Sequence, residues 1–174
     1  MKDGALFWWA AGGLLLLTLG AGGLAVVNTM WKQQGAGPTW LPALNQAEGR
    51  YGIPADLLAR IAYQESHFRP DIISGATVSP AGALGLMQLM PQYFASVQVP
   101  RPFTPVNTLA QIDEAARLLQ GLFAHFNDWQ LAVAGYNDGQ GNVDQFLAGA
   151  RDLPDETYAY LAQVFGDVPV QSNA

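Results

Sequence analysis

The chain has 174 residues, 50% of them apolar and only 13% charged, where a typical soluble domain carries about 25% charged residues. That is room for one domain and an appendage, and the charge deficit places part of the chain outside water. A net charge of −6 excludes a broad electrostatic grip on nucleic acid. The absence of cysteine, with His67 and His125 the only histidines, excludes disulfide scaffolds, cysteine nucleophiles, thiolate zinc sites and a histidine-rich metal centre.

Between Asp3 and Lys32 no residue is ionisable, and residues 5–27 are almost wholly apolar. As a helix, those residues span about 35 Å, enough to cross a hydrocarbon core of about 30 Å with some tilt. Trp8, Trp9 and Trp31 stand near the two ends, where aromatic side chains favour the membrane–water boundary. A cleavable signal peptide has a shorter apolar region, of about 7–15 residues, and Ala25-Val26-Val27-Asn28-Thr29-Met30 is a poor small-residue cleavage site. We therefore expect an uncleaved anchor over residues 1–32, with one transmembrane helix at about 5–30. Lys2 and Lys32 flank the span, so charge does not orient it. Residues 33–40, beginning Gln-Gln-Gly-Ala-Gly-Pro, read as a flexible linker, 41–167 as the globular domain and 168–174 as a tail. Beyond Lys32 six arginines face thirteen acids, so the domain itself is acidic.

Helical periodicity dominates that domain. Leu57, Leu58, Ile61 and Ala62 form a stripe after Pro54, a favoured first helical residue, with Asp56 in the first turn. A longer helix is marked by Leu109, Ile112, Ala116, Leu119, Phe123 and Phe126, and a third by Trp129, Val133 and Tyr136. A last helix, opened by Pro154, carries Tyr158, Leu161, Ala162 and Phe165. Residues 72–78 and 97–99 are the only strand candidates, both short and broken by Gly or Pro. The expectation is a mainly α-helical domain with at most a small β element.

Continuing the stripe from Leu58 and Ile61 lands on Glu65, a carboxylate on an apolar face in the last turn of its helix. Burial there disfavours the charged form and raises the pKa, the condition a general acid needs near neutral pH. The plainer alternative is a glutamate where the helix ends and meets solvent.

The sequence around it narrows the choice. Glu65-Ser66 is followed by Ser79-Pro80-Ala81-Gly82-Ala83-Leu84-Gly85-Leu86-Met87-Gln88-Leu89-Met90-Pro91. Then come Ala134-Gly135-Tyr136-Asn137-Asp138-Gly139 and Leu153-Pro154-Asp155-Glu156-Thr157-Tyr158-Ala159-Tyr160. In this order and spacing, over about residues 41–165, the chain resembles the catalytic domain of the soluble-type lytic transglycosylases, relatives of goose-type lysozyme. Glu-Ser alone carries nothing; Gly-Leu-Met-Gln-Leu-Met-Pro is quite specific.

The resemblance implies a lysozyme-like fold and a set of roles. Glu65 matches the single catalytic glutamate, acting first as acid and then as base, and Ser66 the serine beside the reacting sugar. Gly85, Leu86, Met87 and Gln88 match the segment lining the glycan groove, with Gln88 able to bond a sugar amide. Tyr136 and Asn137 match the Tyr-Asn pair beside the acid, while Glu156 and Tyr160 match the last motif. The implied reaction cleaves the β-1,4 bond between N-acetylmuramic acid and N-acetylglucosamine in peptidoglycan, leaving a 1,6-anhydro end, with no metal or organic cofactor. Four departures stand out: Gly135 and Asp138 where the family usually has alanine, Gln140 where proline is frequent, and Tyr158 where arginine is common.

The residues themselves fit a one-carboxylate scheme, because an N-acetyl sugar brings its own nucleophile in the 2-acetamido oxygen. Asp71 and Asp138 are the candidates for a second carboxylate. Both lie in turn-rich segments, where Asp is favoured for bonding its own backbone. His67 reads as a solvated loop residue, His125 as a boundary residue without catalytic partners, and Met87 and Met90 also fit as core filler. Gly139-Gln140-Gly141-Asn142 lacks the signature of a phosphate loop. Three functions follow as expectations: an anchored lytic transglycosylase, a hydrolytic muramidase using Asp71 or Asp138, or a non-catalytic glycan-binding assembly component. The domain is expected on the cell-wall (periplasmic) side of a bilayer, with peptidoglycan as partner. One catalytic domain on one anchor suits a secretion or conjugation machine, or a membrane or virion component of a bacteriophage.

Overall fold

The computed structural model describes residues 31–166. The expected membrane helix at about 5–30 and the tail at 168–174 lie outside the described residues. Among those that are described, no helix is long and apolar enough to cross a membrane.

The described residues form seven α-helices: α1 Gly37–Tyr51, α2 Leu57–Ser66, α3 Pro70–Ile73, α4 Pro105–Phe126, α5 Trp129–Asp138, α6 Gln140–Leu147 and α7 Asp155–Phe165. Short 3-10 turns occupy Trp31–Gln33 and Ala95–Val97, and an antiparallel bridge joins Leu84 to Leu89. The domain is mainly α-helical and no sheet forms among the described residues. Neither candidate forms a strand: Ile72 and Ile73 close α3, which Pro70 opens with its preset φ and Asp71 at its positive end, Val97 closes a 3-10 turn, and the rest of both segments is turn, bend or irregular chain.

The four expected helices are present, with their ends and buried faces adjusted. The second helix begins at Leu57 rather than Pro54. Its N-cap residue, Asp56, has φ 64 and makes no side-chain cap; its carboxylate pairs with Lys32 at 2.6 Å. The free amides of this helix end are met instead by Glu48 of α1, which accepts from Asp56 N at 2.9 Å and Ala59 N at 3.1 Å. In α4, opened by a Thr104–Asn107 capping box, the buried stripe runs through Thr108, Gln111, Ile112, Ala115, Ala116, Leu119 and Leu122, while Leu109 is exposed. In α7 it runs through Thr157, Tyr160, Leu161 and Val164, leaving Ala162 exposed. In both helices the inner face therefore includes polar groups that an apolar pattern steps over.

The segment 33–40, read as a flexible linker, is folded against the domain. Gly37 is buried at the start of α1, and a Cβ there would come within 2.8 Å of the Phe68 ring and 2.7 Å of Lys32 O. Small residues let the chain pass close to that ring, so the glycines serve packing here rather than looseness.

Helix α4 packs on α1 and α5, α5 on α6 and α7, and α2 on α1 and α7. Leu58 and Ile61 from α2, Leu119 from α4, Val133 from α5 and Leu161 from α7 meet in a core where each is at most 1% exposed. This arrangement brings the C-terminal end of α2 against α7.

Candidate active site

Glu65 occupies the last turn of α2, and the chain turns sharply behind it. His67 and Phe68 have φ of 48 and 51, two successive left-handed residues without glycine's freedom. Several bonds hold this strained corner: Tyr63 O accepts from His67 N at 2.6 Å, Ser66 Oγ from Phe68 N at 3.2 Å, and Phe68 O from Ala36 N at 2.8 Å. The Phe68 ring is fully buried and stacks on Trp31 at 6.2 Å, with Tyr63 tilted 5.7 Å away. Ser66 also donates to Ala62 O at 2.8 Å and is 0% exposed. The resemblance implied Ser66 beside the reacting sugar; both faces of its hydroxyl are instead committed to this corner.

Glu65 itself is 7% exposed and accepts a 2.7 Å hydrogen bond on Oε1 from the hydroxyl of Tyr160. Its second oxygen has no partner among the described residues and is not sealed from solvent, so the residual exposure is the acid's opening. Burial drives its pKa well above the ordinary value, and the Tyr160 bond pulls it back only in part. Its position at the negative end of the helix dipole acts in the same sense as burial. Tyr136 and Tyr160 are both buried beside it, and burial together with the charge of Glu65 pushes both phenols well above their usual range. They remain donors at any physiological pH.

The hydroxyl of Tyr136 is directed elsewhere. It donates to Met87 O at 2.9 Å, in a tight loop at 85–88 closed by two 3.0 Å bonds between Leu84 and Leu89. Gly85 takes φ 78 and Gln88 φ 46 within the loop, and Gln88 Nε2 folds back onto Gly85 O at 2.9 Å. The Met87 side chain is 0% exposed, so the core-filling alternative describes it; its contribution to the site is the backbone carbonyl. Gln88 is partly exposed and keeps its amide oxygen free of protein partners among the described residues.

The other expected residues join α5 to α7. Asn137, 5% exposed, accepts from Thr157 Oγ1 at 2.8 Å. Asp138 pairs with Arg151 at 3.2 Å and accepts from Asn142 at 3.2 Å. Glu156 lies close enough for the Asp138 charge, after burial, to raise its pKa, and its Oε1 is buried without a partner among the described residues. Asp71 is held outside this group by Arg69 at 2.6 Å and Thr77 at 2.7 Å, which keep its carboxyl below the usual range. His67 is exposed, and His125 pairs with Asp144 at 2.8 Å. Among the described residues no group of His, Cys, Asp and Glu could hold a metal ion.

The structure thus gathers Glu65, Tyr136, Tyr160 and the Met87 carbonyl into one unit, with Gln88, Asn137 and Glu156 on the elements that frame it. One departure is explained here. A Cβ on Gly135 would lie 3.0 Å from Leu122 and 3.2 Å from Phe126, so glycine lets α4 approach α5 closely. Three polar residues that hold the elements around the site were given no role in the sequence: Glu48, Gln111 and Thr157. Gln111 and Thr157 carry a readable signal, since each lies three or four residues from buried apolar positions on its own helix. Glu48 has none, because its partners sit across a turn at the start of another helix.

Chemically, the unit is a carboxyl whose burial favours the protonated form, with one oxygen anchored by a phenol and the other open. That is the equipment of a general acid that becomes a base once its proton has left.

Residues 42–159 match the family described as Transglycosylase SLT domain. The chain is 33% identical over 121 residues to the Membrane-bound lytic murein transglycosylase F 2 of Alkalilimnicola ehrlichii, covering 67% of this chain and 26% of that one. It is 29% identical over 133 residues to the Membrane-bound lytic murein transglycosylase F of Hahella chejuensis, covering 72% and 25%. With the Transglycosylase of Enterobacteria phage PRD1 it shares 27% identity over 128 residues, 74% of this chain and 45% of the phage protein. The chain thus spans between a quarter and less than half of the length of these curated relatives.

Proposed function

The chain belongs to the Transglycosylase SLT domain family, and from that premise we propose that it is a peptidoglycan lytic transglycosylase in which Glu65 is the sole catalytic carboxyl. The observation that carries this reading is the setting of Glu65: buried, so that its protonated form is favoured, anchored through one oxygen by Tyr160 and open at the other.

In the proposed reaction Glu65 gives its proton to the glycosidic oxygen between N-acetylmuramic acid and N-acetylglucosamine. The anomeric C–O bond breaks, and the muramyl 2-acetamido oxygen bonds to the anomeric carbon. The Glu65 carboxylate then takes the proton of the 6-hydroxyl, whose oxygen displaces the acetamido oxygen and closes the 1,6-anhydro ring. No water is consumed, and Glu65 ends protonated as it began. Hydrolysis by the usual paired-carboxylate route needs a second carboxylate to activate water. Both candidates have other work: Asp71 with Arg69 and Thr77, Asp138 with Arg151 and Asn142.

The product decides between the two chemistries. Mass spectrometry of digested glycan is expected to find muramic acid ends one water lighter than hydrolysis leaves. Free reducing ends, lost in Asp138→Asn or Asp71→Asn while the fold persists, would install the muramidase reading instead.

We place the domain on the wall side of a membrane, tethered by the apolar run at 5–27, as part of an envelope-spanning machine or a phage particle. The length of that run supports this. A chain lacking residues 1–30 keeps Trp31 and Lys32 and is expected to be soluble without detergent and active. Recovery of the full chain from the soluble fraction would count against the tether.

A further inference from the structure

Gln111 is a polar side chain at a core position of α4, 0% exposed, with a hydrogen bond satisfied on one half only. Its Oε1 accepts from Leu86 N at 3.1 Å, while its Nε2 is buried without a partner among the described residues. An unmatched buried donor is costly, and an apolar residue of the same size would avoid that cost. Reversing the amide would set a donor against the Leu86 N–H, so the acceptor half is what the position uses. The loop is shaped around this contact. A Cβ on Gly85 would lie 2.1 Å from Gln111 Oε1, and Gly85 takes φ 78. One residue beyond Leu86, the Met87 carbonyl accepts the Tyr136 hydroxyl.

We propose that Gln111 is a positioning residue for the acid: by fixing Leu86 it holds the Met87 carbonyl where it captures the Tyr136 hydroxyl, leaving Glu65 with one phenolic donor instead of two. The proposal rests on the reading of Glu65 as general acid. Among the described residues, the titratable neighbours of Glu65 are Tyr160 from α7 and Tyr136 from α5. A second phenol on the carboxylate stabilises its charged form and makes it a poorer proton donor at neutral pH. The Met87 carbonyl therefore acts as a decoy for a proton that would otherwise weaken the catalyst's grip on its own.

The test uses the full chain and Gln111→Met, which keeps length and volume but lacks the acceptor. Two readouts are needed: amide exchange at Leu86, and the alkaline limb of the pH dependence of glycan cleavage. Exchange at Leu86 is expected to quicken about 10-fold or more as its partner is lost. The alkaline limb is expected to move down by about one pH unit as the released Tyr136 hydroxyl turns to Glu65. Adding Tyr136→Phe to Gln111→Met removes that hydroxyl and is expected to return the limb to its original place, a coupling that loss of packing alone does not produce. A limb that stays put in Gln111→Met despite quickened exchange, or a shift that survives Tyr136→Phe, overturns the proposal.

If Gln111→Met fails to fold, Gln111→Leu replaces it with the same two readouts. Its limb is expected to move down as exchange at Leu86 quickens, and a limb that stays put or rises while exchange quickens overturns the proposal. Failure of the unaltered chain to cleave glycan would instead remove the general-acid reading, while exchange at Leu86 would still report on the loop.

Discussion

Helix α2 runs between two buried glutamates, Glu48 packed under its first turn and Glu65 standing in its last. They are alike in exposure, 4% and 7%, and in both, burial raises the pKa. They differ in what meets their oxygens. Glu48 accepts a backbone N–H on each oxygen, from Ala59 and Asp56, and these bonds oppose the effect of burial. Glu65 accepts one phenol and keeps an oxygen open. Burial makes a weak acid of either residue; only incomplete satisfaction makes it available to a substrate. One end of the helix has both carboxylate oxygens satisfied, and the other leaves one open.

The largest effect expected from this contrast is at Glu65. Glu65→Gln keeps the shape and the Tyr160 contact but has no proton to give, so glycan cleavage should fall at least about 10²–10⁴-fold. Stability should move the other way. The Glu65 pKa is higher in the folded chain than its ordinary 4.5, so the acid leaves stability intact below that value and withdraws it as pH rises through the folded pKa. Glu65→Gln should therefore melt a few degrees higher than the original chain at pH 7, with the gain vanishing toward pH 4. Thermal unfolding at several pH values checks this. An equal melting temperature at every pH would mean that the acid is not held protonated by the fold.

Glu48 should behave as the inverse. Glu48→Ala orphans two amides at the start of α2 and should cost about 1–3 kcal/mol by denaturant unfolding. The fraction that remains folded should cut glycan at the original rate, and Glu48→Gln should lie between the two. A rate loss in Glu48→Ala beyond its unfolded fraction would show that the helix transmits strain from one end to the other.

The two ends were not equally legible. Glu65 broke an apolar stripe and stood among motifs of specific spacing, so its helix and its exceptional character could be read directly. Glu48 broke nothing visible, since the amides it satisfies lie eight and eleven residues on, across a turn. Pro54 pointed to a helix start three residues early because its preset φ suits a first turn whether or not one follows. The structure brings Glu65, Tyr136, Tyr160 and the Met87 carbonyl together, yet the Ser66 and Met87 side chains face inward. A motif says which residues recur together, not which atoms face a ligand, and here the contribution of Met87 is a carbonyl that every residue possesses. The segment 33–40 failed for a related reason: glycines permit looseness and close packing alike, and only the Phe68 ring decides between them.

A smaller effect should come from the one phenol on Glu65. Tyr160→Phe removes a hydrogen bond that favours the carboxylate, so the acid should become weaker still. The alkaline limb of the pH–rate profile should rise by about one unit, while the rate at low pH changes less. A limb that moves down would mean that the bond favours the protonated form.

The smallest effect should be at the surface of the stable end. Lys32 meets Asp56 at 2.6 Å with both side chains about a quarter to a third exposed, a setting in which an ion pair contributes under about 1 kcal/mol. Lys32→Ala should lower the unfolding midpoint slightly, and less so in high salt, where the pair is already screened. The loss should grow as pH rises, because an unpaired Asp56 charge adds to the repulsion that already raises the Glu48 pKa. Glycan cleavage should be untouched. The corner behind Glu65 is tied to this N-terminal segment by the Ala36 N–H bond to Phe68 O and by the Trp31–Phe68 stack, and Lys32 meets that tie only through its ammonium 5.5 Å from the Trp31 ring centroid. A fall in rate with an unchanged midpoint would break the comparison outright, since the first residues of the folded domain would then reach the acid without passing through the helix that joins the two glutamates.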